Sequence, residues 1–157
     1  MDIGRDPVVA SEAQESFSRL VRAQTRLWNA VDARVRHRHG VPLTQLTALR
    51  VIASTESCRV SDLVSALHIT VGGASKVVDR LEAAGLVARV TNERDGRSPV
   101  LVSTMQGRGL LDAATPVIEE VLGAELVARL SEADLSSLNR ILGHLVGSAD
   151  SRTGETQ

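Results

Sequence analysis

The chain has 157 residues, and its formal net charge is −1. This length suits one compact domain or a small domain with additional arms, and the balanced charge lacks the basic excess typical of nucleic-acid-binding proteins. Only Phe17 and Trp28 are aromatic. The core must therefore be aliphatic, which favours helices packed on helices over an aromatic-rich sandwich.

The cellular compartment is indicated by the cysteine content and by the first residues. Cys58 is the only cysteine, so no internal disulfide can form and a reducing compartment fits. Residues 1–9 lack the apolar segment of a signal peptide, and no apolar run reaches the length needed to span a membrane. We therefore expect a cytoplasmic protein with no membrane partner.

Residues 1–10 are expected to be a flexible tail, followed by a long helix over residues 11–40. Ser11 with Gln14 forms a capping-box pattern that predicts the helix start, and Gly40 predicts its end. An apolar stripe along a long terminal helix often belongs to an interface.

We therefore predict that residues 11–40 form a dimerisation arm, with Phe17 and Leu20 in the interface. Trp28 lies on the same stripe. It is a candidate for lining a ligand pocket, and the alternative places it in the dimer or domain core.

Residues 41–104 are predicted to form a winged helix-turn-helix domain. Three helices and then a two-stranded hairpin follow one another in the order typical of this motif. The predicted elements are helices over residues 44–54, 62–67 and 71–84, capped at Ser61 and Thr70 and closed at Gly85, and strands over residues 86–90 and 99–103.

Residues 105–147 are predicted to form a second dimerisation arm made of two helices. Thr104 caps the first, which is expected to run to about Leu130 and to kink at Pro116. Ser131 with Asp134 caps the second. Its apolar stripe predicts interface residues at Leu135, Leu138 and Leu142. Residues 148–157 are expected to be a flexible tail. The fold class is thus mainly α with a small β-hairpin wing, in which helical dimerisation arms flank the winged domain.

The helix over residues 71–84 has the features of a DNA-recognition helix. Its core face is predicted from the spacing of Ala74, Val77, Val78 and Leu81, whereas small and polar residues occupy the first two turns, as a helix entering the major groove requires. The predicted DNA contacts in and near this helix are Ser61, Thr70, Gly72, Gly73, Ser75, Lys76 and Arg80.

Two features of this helix leave alternatives open. Each helical glycine costs up to about 1 kcal/mol relative to alanine, which either serves close approach of the backbone to DNA or reflects a tolerant first turn. Asp79 and Arg80 either form an exposed pair, or Arg80 contacts a phosphate.

The turn of the hairpin carries the sharper signal. Arg94, Asp95 and Arg97 lie around an Asp-Gly turn, where a protruding arginine suits the narrow minor groove and Asp95 would orient Arg97 through a charge-assisted hydrogen bond. The alternative is a solvated charged turn. Between Arg59 and Arg108 there are seven basic and five acidic side chains, a mild excess of the expected sign.

Three stretches together resemble the MarR family of bacterial transcription factors. Residues 75–87 are similar to the recognition helix and its Gly-Leu-Val exit, residues 95–98 to the wing motif, and residues 104–108 to the start of the next helix. The resemblance implies a homodimer whose recognition helices enter successive major grooves and whose wings reach flanking minor grooves. It also implies regulation by a small, often aromatic or phenolic, molecule bound between the arms and the winged domain.

We find no pattern for catalysis, metal or cofactor binding. The chain lacks a glycine-rich phosphate loop, a nucleophile elbow and a His-Glu metal motif. Neighbouring positions such as His37 and His39 point apart on a helix, and Cys58 is interpreted as a buried apolar filler.

The sequence therefore predicts a non-enzymatic, ligand-responsive repressor that binds double-stranded DNA as a homodimer at a pseudo-palindromic operator. The alternative is a winged-helix protein-interaction module without DNA binding.

Overall fold

The computed structural model describes residues 7–91 and 99–150. In chain order the elements are α1 (Pro7–His39), α2 (Leu43–Ser54), α3 (Val60–Leu67), α4 (Val71–Ala83), β1 (Val87–Val90), β2 (Val100–Ser103), α5 (Met105–Leu122), a π-helical turn (Gly123–Val127) and α6 (Glu132–Asp150). The chain divides into two compact units, with the boundary between Ile118 and Glu119. The predicted fold class, mainly helical with one small hairpin, is confirmed.

The core of the first unit lies among α2, α3, α4 and the hairpin. Ala74, Val78 and Leu81 are fully buried, as their helical spacing predicted, and Val77 is half-buried at the edge of the same face. They pack in one aliphatic cluster with residues that include Leu49, Leu63 and Leu101. Burial of this cluster supplies the main driving force for folding this unit.

The hairpin is antiparallel, and its register places Val87 opposite Ser103 and Val90 opposite Val100. The backbone N–H of Leu101 also donates to the carbonyl of Cys58 at 2.7 Å. The segment before α3 therefore lies beside β2.

Several predicted helix ends are confirmed. Gly40 and Gly85 both have positive φ, +69° and +70°, the left-handed geometry that glycine adopts without steric cost. Thr70 caps α4. Ser131 and Asp134 bond reciprocally at the start of α6, where the Ser131 hydroxyl accepts from the Asp134 N–H at 3.2 Å and the Asp134 carboxylate accepts from the Ser131 N–H at 3.3 Å.

Two predicted helix starts are wrong. Helix α1 begins at Pro7, so residues 7–10 are helical and Ser11 lies inside the helix; proline is favoured in a first turn because its missing N–H has no partner there. Helix α3 begins at Val60, because the Asp62 carboxylate accepts from the Arg59 N–H at 2.6 Å and starts the helix before Ser61.

The C-terminal elements also differ from prediction. The α-helical part of α5 ends at Leu122 rather than near Leu130, and the π-helical turn follows. Pro116 lies inside α5, as expected. Helix α6 extends beyond Val146 to Asp150, so residues 148–150 belong to it and only 151–157 of the predicted tail lie outside the described residues. Within residues 7–91 and 99–150, no helix combines the length and apolar character needed to cross a bilayer.

Candidate nucleic-acid interface

The first turns of α4 form an accessible polar surface. The Thr70 hydroxyl accepts a hydrogen bond from the Gly73 N–H at 3.1 Å and so satisfies one of the free donors at the helix start. Lys76 and Arg80 are exposed and make no ion pair with another described residue. Ser75 is half-buried. Lys76 in the second turn and Arg80 in the last turn thus place two cations, unpaired with described residues, on the exposed part of α4, which suits contact with anions.

The structure separates the two glycines of α4. A Cβ built on Gly73 would lie 3.2 Å from the Thr70 hydroxyl oxygen, so the cap itself favours glycine there. A Cβ built on Gly72 meets no atom within 4 Å. Internal packing therefore accounts for Gly73 but not for Gly72, which faces open space in the first turn.

Two further side chains extend this accessible surface. Val71, which sequence reasoning omitted, is 65% exposed at the first position of α4. Ser61 is exposed in the first turn of α3. An exposed aliphatic group beside polar residues suits contact with a thymine methyl group. The sequence signal for Val71 was its position directly after the Thr70 cap, in the first turn of the helix.

Arg89 on β1 joins the hairpin to α4, an arrangement that sequence reasoning missed. One guanidinium nitrogen contacts the Asp79 carboxylate at 2.6 Å, and the other contacts the Glu82 carboxylate. Asp79 therefore pairs with Arg89 rather than with Arg80. Hydrogen bonding to Asp79 raises the pKa of Arg89 further. Asp79 and Glu82 are three residues apart on one helix face, and this spacing was the available sequence signal.

The root of the hairpin is held by the start of α5. The Thr104 hydroxyl donates to the Gly85 carbonyl at 2.7 Å and accepts from the Gly107 N–H at 3.0 Å. A Cβ on Gly107 would lie 2.2 Å from the Leu86 carbonyl oxygen, so only glycine fits. Arg108 donates to the Ser103 carbonyl at 2.7 Å. These contacts give the Thr-x-x-Gly-Arg pattern a structural reason: it closes the base of the wing.

The predicted wing contacts Arg94, Asp95 and Arg97 lie outside the described residues, which resume at Pro99. The strands on either side, β1 and β2, are paired over their whole length.

Trp28 lines a cavity of about 390 Å³ in the first unit. Its walls come from α1, α2, α3 and the start of α4, and none of the lining side chains is charged. The residues are Trp28, Thr44, Thr47, Ala66, Leu67, Ile69, Gly73 and Val77. The cavity therefore reaches α4 through Gly73 and Val77.

The predicted dimerisation residues are not buried within the chain. In the first unit, Phe17 is 66% exposed and Leu20 is also exposed. In the second unit, Leu135, Leu138 and Leu142 are half-buried, while Ile141 and Leu145 beside them are exposed. Contiguous exposed apolar surface on a helix is typical of protein–protein contact.

Cys58 and the histidines show no metal-site geometry. Cys58 is fully buried, as predicted, and burial together with the nearby Asp62 carboxylate raises the pKa of its thiol. Among the residues that the structure describes, no three histidine, cysteine, aspartate or glutamate side chains are grouped so that they could hold a metal ion.

Comparison with known proteins shows similarity to the MarR family. The sequence model of the MarR family matches residues 39–98. The HTH-type transcriptional repressor Rv2887 of Mycobacterium tuberculosis is 28% identical over 106 residues, which covers 68% of this chain and 76% of the relative. The winged region of this chain therefore matches the MarR family model, and the chain is similar to MarR-family regulators.

Solved MarR-family structures share its fold. The regulator Sco3205 from Streptomyces coelicolor, in complex with DNA, has a TM-score of 0.78 at 24% identity, covering 88% of each chain. The Mycobacterium tuberculosis MarR-family protein Rv2887, in complex with p-aminosalicylic acid, has a TM-score of 0.65 at 27% identity and covers 80% of this chain and 94% of the relative. The winged-helix regulator fold is therefore shared with relatives that carry DNA or a small aromatic acid.

Proposed function

We propose that this protein is a transcriptional repressor of the MarR type that binds a pseudo-palindromic operator as a homodimer and releases it when a small molecule binds. The observation that carries the proposal is the surface of α4: Lys76 and Arg80 are exposed and unpaired with described residues, whereas Arg89 pairs with both Asp79 and Glu82 and offsets one of their two negative charges, so these five side chains sum to +1. The recognition helix thus has a positive surface although the whole chain has a net charge of −1.

In this proposal, the first turns of α4 enter the major groove. Gly72 lets the helix backbone approach closely, Ser75 and Lys76 face base edges or phosphates, and Val71 contacts a thymine methyl group. Arg80 binds a phosphate, and Thr70 and Ser61 lie near the backbone at the helix starts. Arg97 of the wing inserts into the flanking minor groove, oriented by Asp95, and Arg94 adds positive charge there.

The proposed dimer is supported by the exposed apolar residues of α1 and α6. Phe17 and Leu20 on α1, and the stripe of Leu135, Leu138 and Leu142 on α6, would be covered by a second copy. A symmetric dimer presents two recognition helices, which matches the two half-sites of a palindromic operator.

The proposed effector site is the cavity beside Trp28. Its volume suits a small molecule, and its aromatic wall and two threonines suit a ring with a polar substituent. Because Gly73 and Val77 line the cavity, a bound molecule contacts the recognition helix directly. If it binds best when α4 is displaced, it lowers DNA affinity by the same free energy. The relative solved with p-aminosalicylic acid supports an effector of this general class.

This function needs no catalytic residue. Its chemistry consists of charge neutralisation, groove contacts and displacement of one helix.

The direct test is binding of fluorescently labelled DNA from upstream of the protein's own gene, measured at several salt concentrations. We expect the binding constant to fall steeply with salt, since each phosphate contact releases counterions. Arg97→Ala should weaken binding strongly and leave the dimer intact, whereas Arg140→Gln on the exposed surface of α6 is the matched control with unchanged affinity. Absence of salt-sensitive binding to any genomic fragment would favour the protein-interaction module instead.

A further inference from the structure

Arg89 occupies an unusual place in the hairpin. It lies two residues after the buried Val87 on β1, so both side chains project from the same face of the strand. That face is the one turned toward α4. An apolar residue would extend the core there, whereas Arg89 keeps its side chain only 29% exposed and places its guanidinium between Asp79 and Glu82.

The contact geometry constrains the angle between helix and strand. The two terminal nitrogens of Arg89 contact different carboxylates. Nη2 lies 2.6 Å from Oδ1 of Asp79, and Nη1 donates a hydrogen bond to Oε2 of Glu82. Because the guanidinium is planar and rigid, two simultaneous contacts fix its orientation as well as its distance. Both carboxylates belong to α4, one turn apart. Strand β1 is thereby fastened to the recognition helix just before the turn of the wing.

The same contacts leave Arg89 poorly placed to bind DNA. Both terminal nitrogens are engaged by carboxylates, in contrast to Lys76 and Arg80, which are exposed and have no described partner. A phosphate would have to displace these carboxylates first. The cluster of Arg89, Asp79 and Glu82 carries one net negative charge, so it does not attract DNA electrostatically.

We propose that Arg89 is a positioning residue, which locks strand β1 to α4 so that the wing and the recognition helix reach their two grooves together. The proposal rests on the proposed DNA-binding function. In this proposal Lys76 and Arg80 contact DNA, whereas Arg89 sets the orientation of β1 relative to α4.

The decisive variant removes the whole cluster: Asp79→Asn, Glu82→Gln and Arg89→Gln together. This change makes the protein one unit more positive, so electrostatics alone predicts equal or tighter DNA binding. Positioning predicts the opposite for the operator, a loss of roughly tenfold or more, equal to at least one lost base contact. Affinity for non-specific DNA should stay equal or rise, so the ratio of specific to non-specific binding falls.

The single variants separate a positioning residue from a phosphate contact. Arg80→Gln should lower the slope of log affinity against log salt concentration by about 1, as expected for a lost phosphate contact. Arg89→Gln should weaken operator binding without that decrease in slope. Arg89→Lys keeps the charge but lacks the planar fork, so it should restore affinity only in part.

Each outcome has one meaning. If the wild-type protein binds no DNA, the proposed function fails. If the wild type binds and the triple variant, shown to be folded by circular dichroism, binds the operator as tightly, the positioning role is rejected. If Arg89→Gln lowers the salt slope as Arg80→Gln does, Arg89 is a phosphate contact and the inference is overturned.

Discussion

The two halves of helix α1 differ in what covers them. Val31 and Val35 in the C-terminal half are buried in the winged region of the first unit, and Asp32 beside them accepts from the Leu43 N–H at 2.7 Å, which caps α2. In the N-terminal half, every described side chain from Ser11 to Arg26 is exposed, including Phe17. One continuous helix is therefore a core element at one end, whereas its described side chains are exposed at the other.

This contrast separates the region that buries its aliphatic residues within one chain from the region whose apolar residues stay exposed. The winged region buries its aliphatic residues by itself, so it should resist changes of subunit concentration. In the proposed dimer a second copy covers the exposed stripe of α1, and so the contribution of this stripe to stability should depend on concentration. The following predictions test this difference, beginning with the largest expected effect.

Replacing Phe17 and Leu20 together by aspartate should abolish the dimer, because two charges would be buried in an apolar interface. Molar mass measured by light scattering over a range of concentrations should then correspond to one chain. Ser16→Asp together with Arg22→Asp, on neighbouring exposed positions, is the control. A double Phe17/Leu20 variant that remains dimeric would contradict the proposed interface on the N-terminal half of α1.

Gly107→Ala should destabilise the winged region by about 1–3 kcal/mol, since a methyl group cannot fit 2.2 Å from the Leu86 carbonyl oxygen. The measurement is urea unfolding followed by circular dichroism. Gly109→Ala, two residues further along α5, meets no atom within 4 Å and should be neutral or slightly stabilising. Equal stability of the two variants would contradict the tight root of the hairpin.

Asp32→Ala should cost about 1 kcal/mol at neutral pH, because it removes the side-chain acceptor of the Leu43 N–H in the first turn of α2, and loss of such an acceptor at a helix start typically costs this much. Burial by itself raises the pKa of Asp32. The hydrogen bond from Leu43 and the contacts with Arg36 lower this pKa by more, so that it lies below its ordinary value. The carboxylate therefore adds stability above the pKa of an unfolded aspartate, and this stability is lost as pH falls through the lower folded value. The difference between wild type and variant should shrink in acid, and a pH-independent difference would exclude this linkage.

Gly72→Ala should produce the smallest change in stability, a gain of up to about 1 kcal/mol from helix propensity. Its DNA affinity should nevertheless fall, because the added methyl group blocks close approach of the helix backbone. Thermal unfolding and DNA titration of the same sample measure both effects, with Gly109→Ala as the control for propensity. Greater stability with unchanged DNA affinity would indicate that Gly72 merely reflects a tolerant first turn.

Local signals in the sequence predicted most of the fold. The Thr70 cap, the left-handed Gly85 and the Ser131–Asp134 box each depend on residues a few positions apart, so they are readable from one segment. Ser11 and Ser61 failed as caps because a neighbouring option started the helix earlier, Pro7 in one case and the Arg59–Asp62 bond in the other. A local sequence pattern does not show which of two neighbouring candidate residues starts the helix.

The site was less predictable because its key contacts cross between elements. Arg89 meets Asp79 ten residues away and Glu82 seven residues away, through a turn whose geometry must be known first. Likewise, nothing in the spacing of Trp28 indicated that it shares a cavity wall with Gly73 and Val77. The sequence identified the recognition helix, and the structure showed which of its charges are already occupied.

The Thr104 hydroxyl, which bridges Gly85 and Gly107, has a consequence for how this wing can change. It fixes both strands at their root, so the register of the hairpin does not depend on the turn that joins them. Lengthening that turn adds only a slowly growing closure entropy. We therefore expect insertion or replacement within residues 92–98 to leave the pairing of β1 and β2 unchanged, so that, under the proposed function, operator preference could be altered while this pairing is kept.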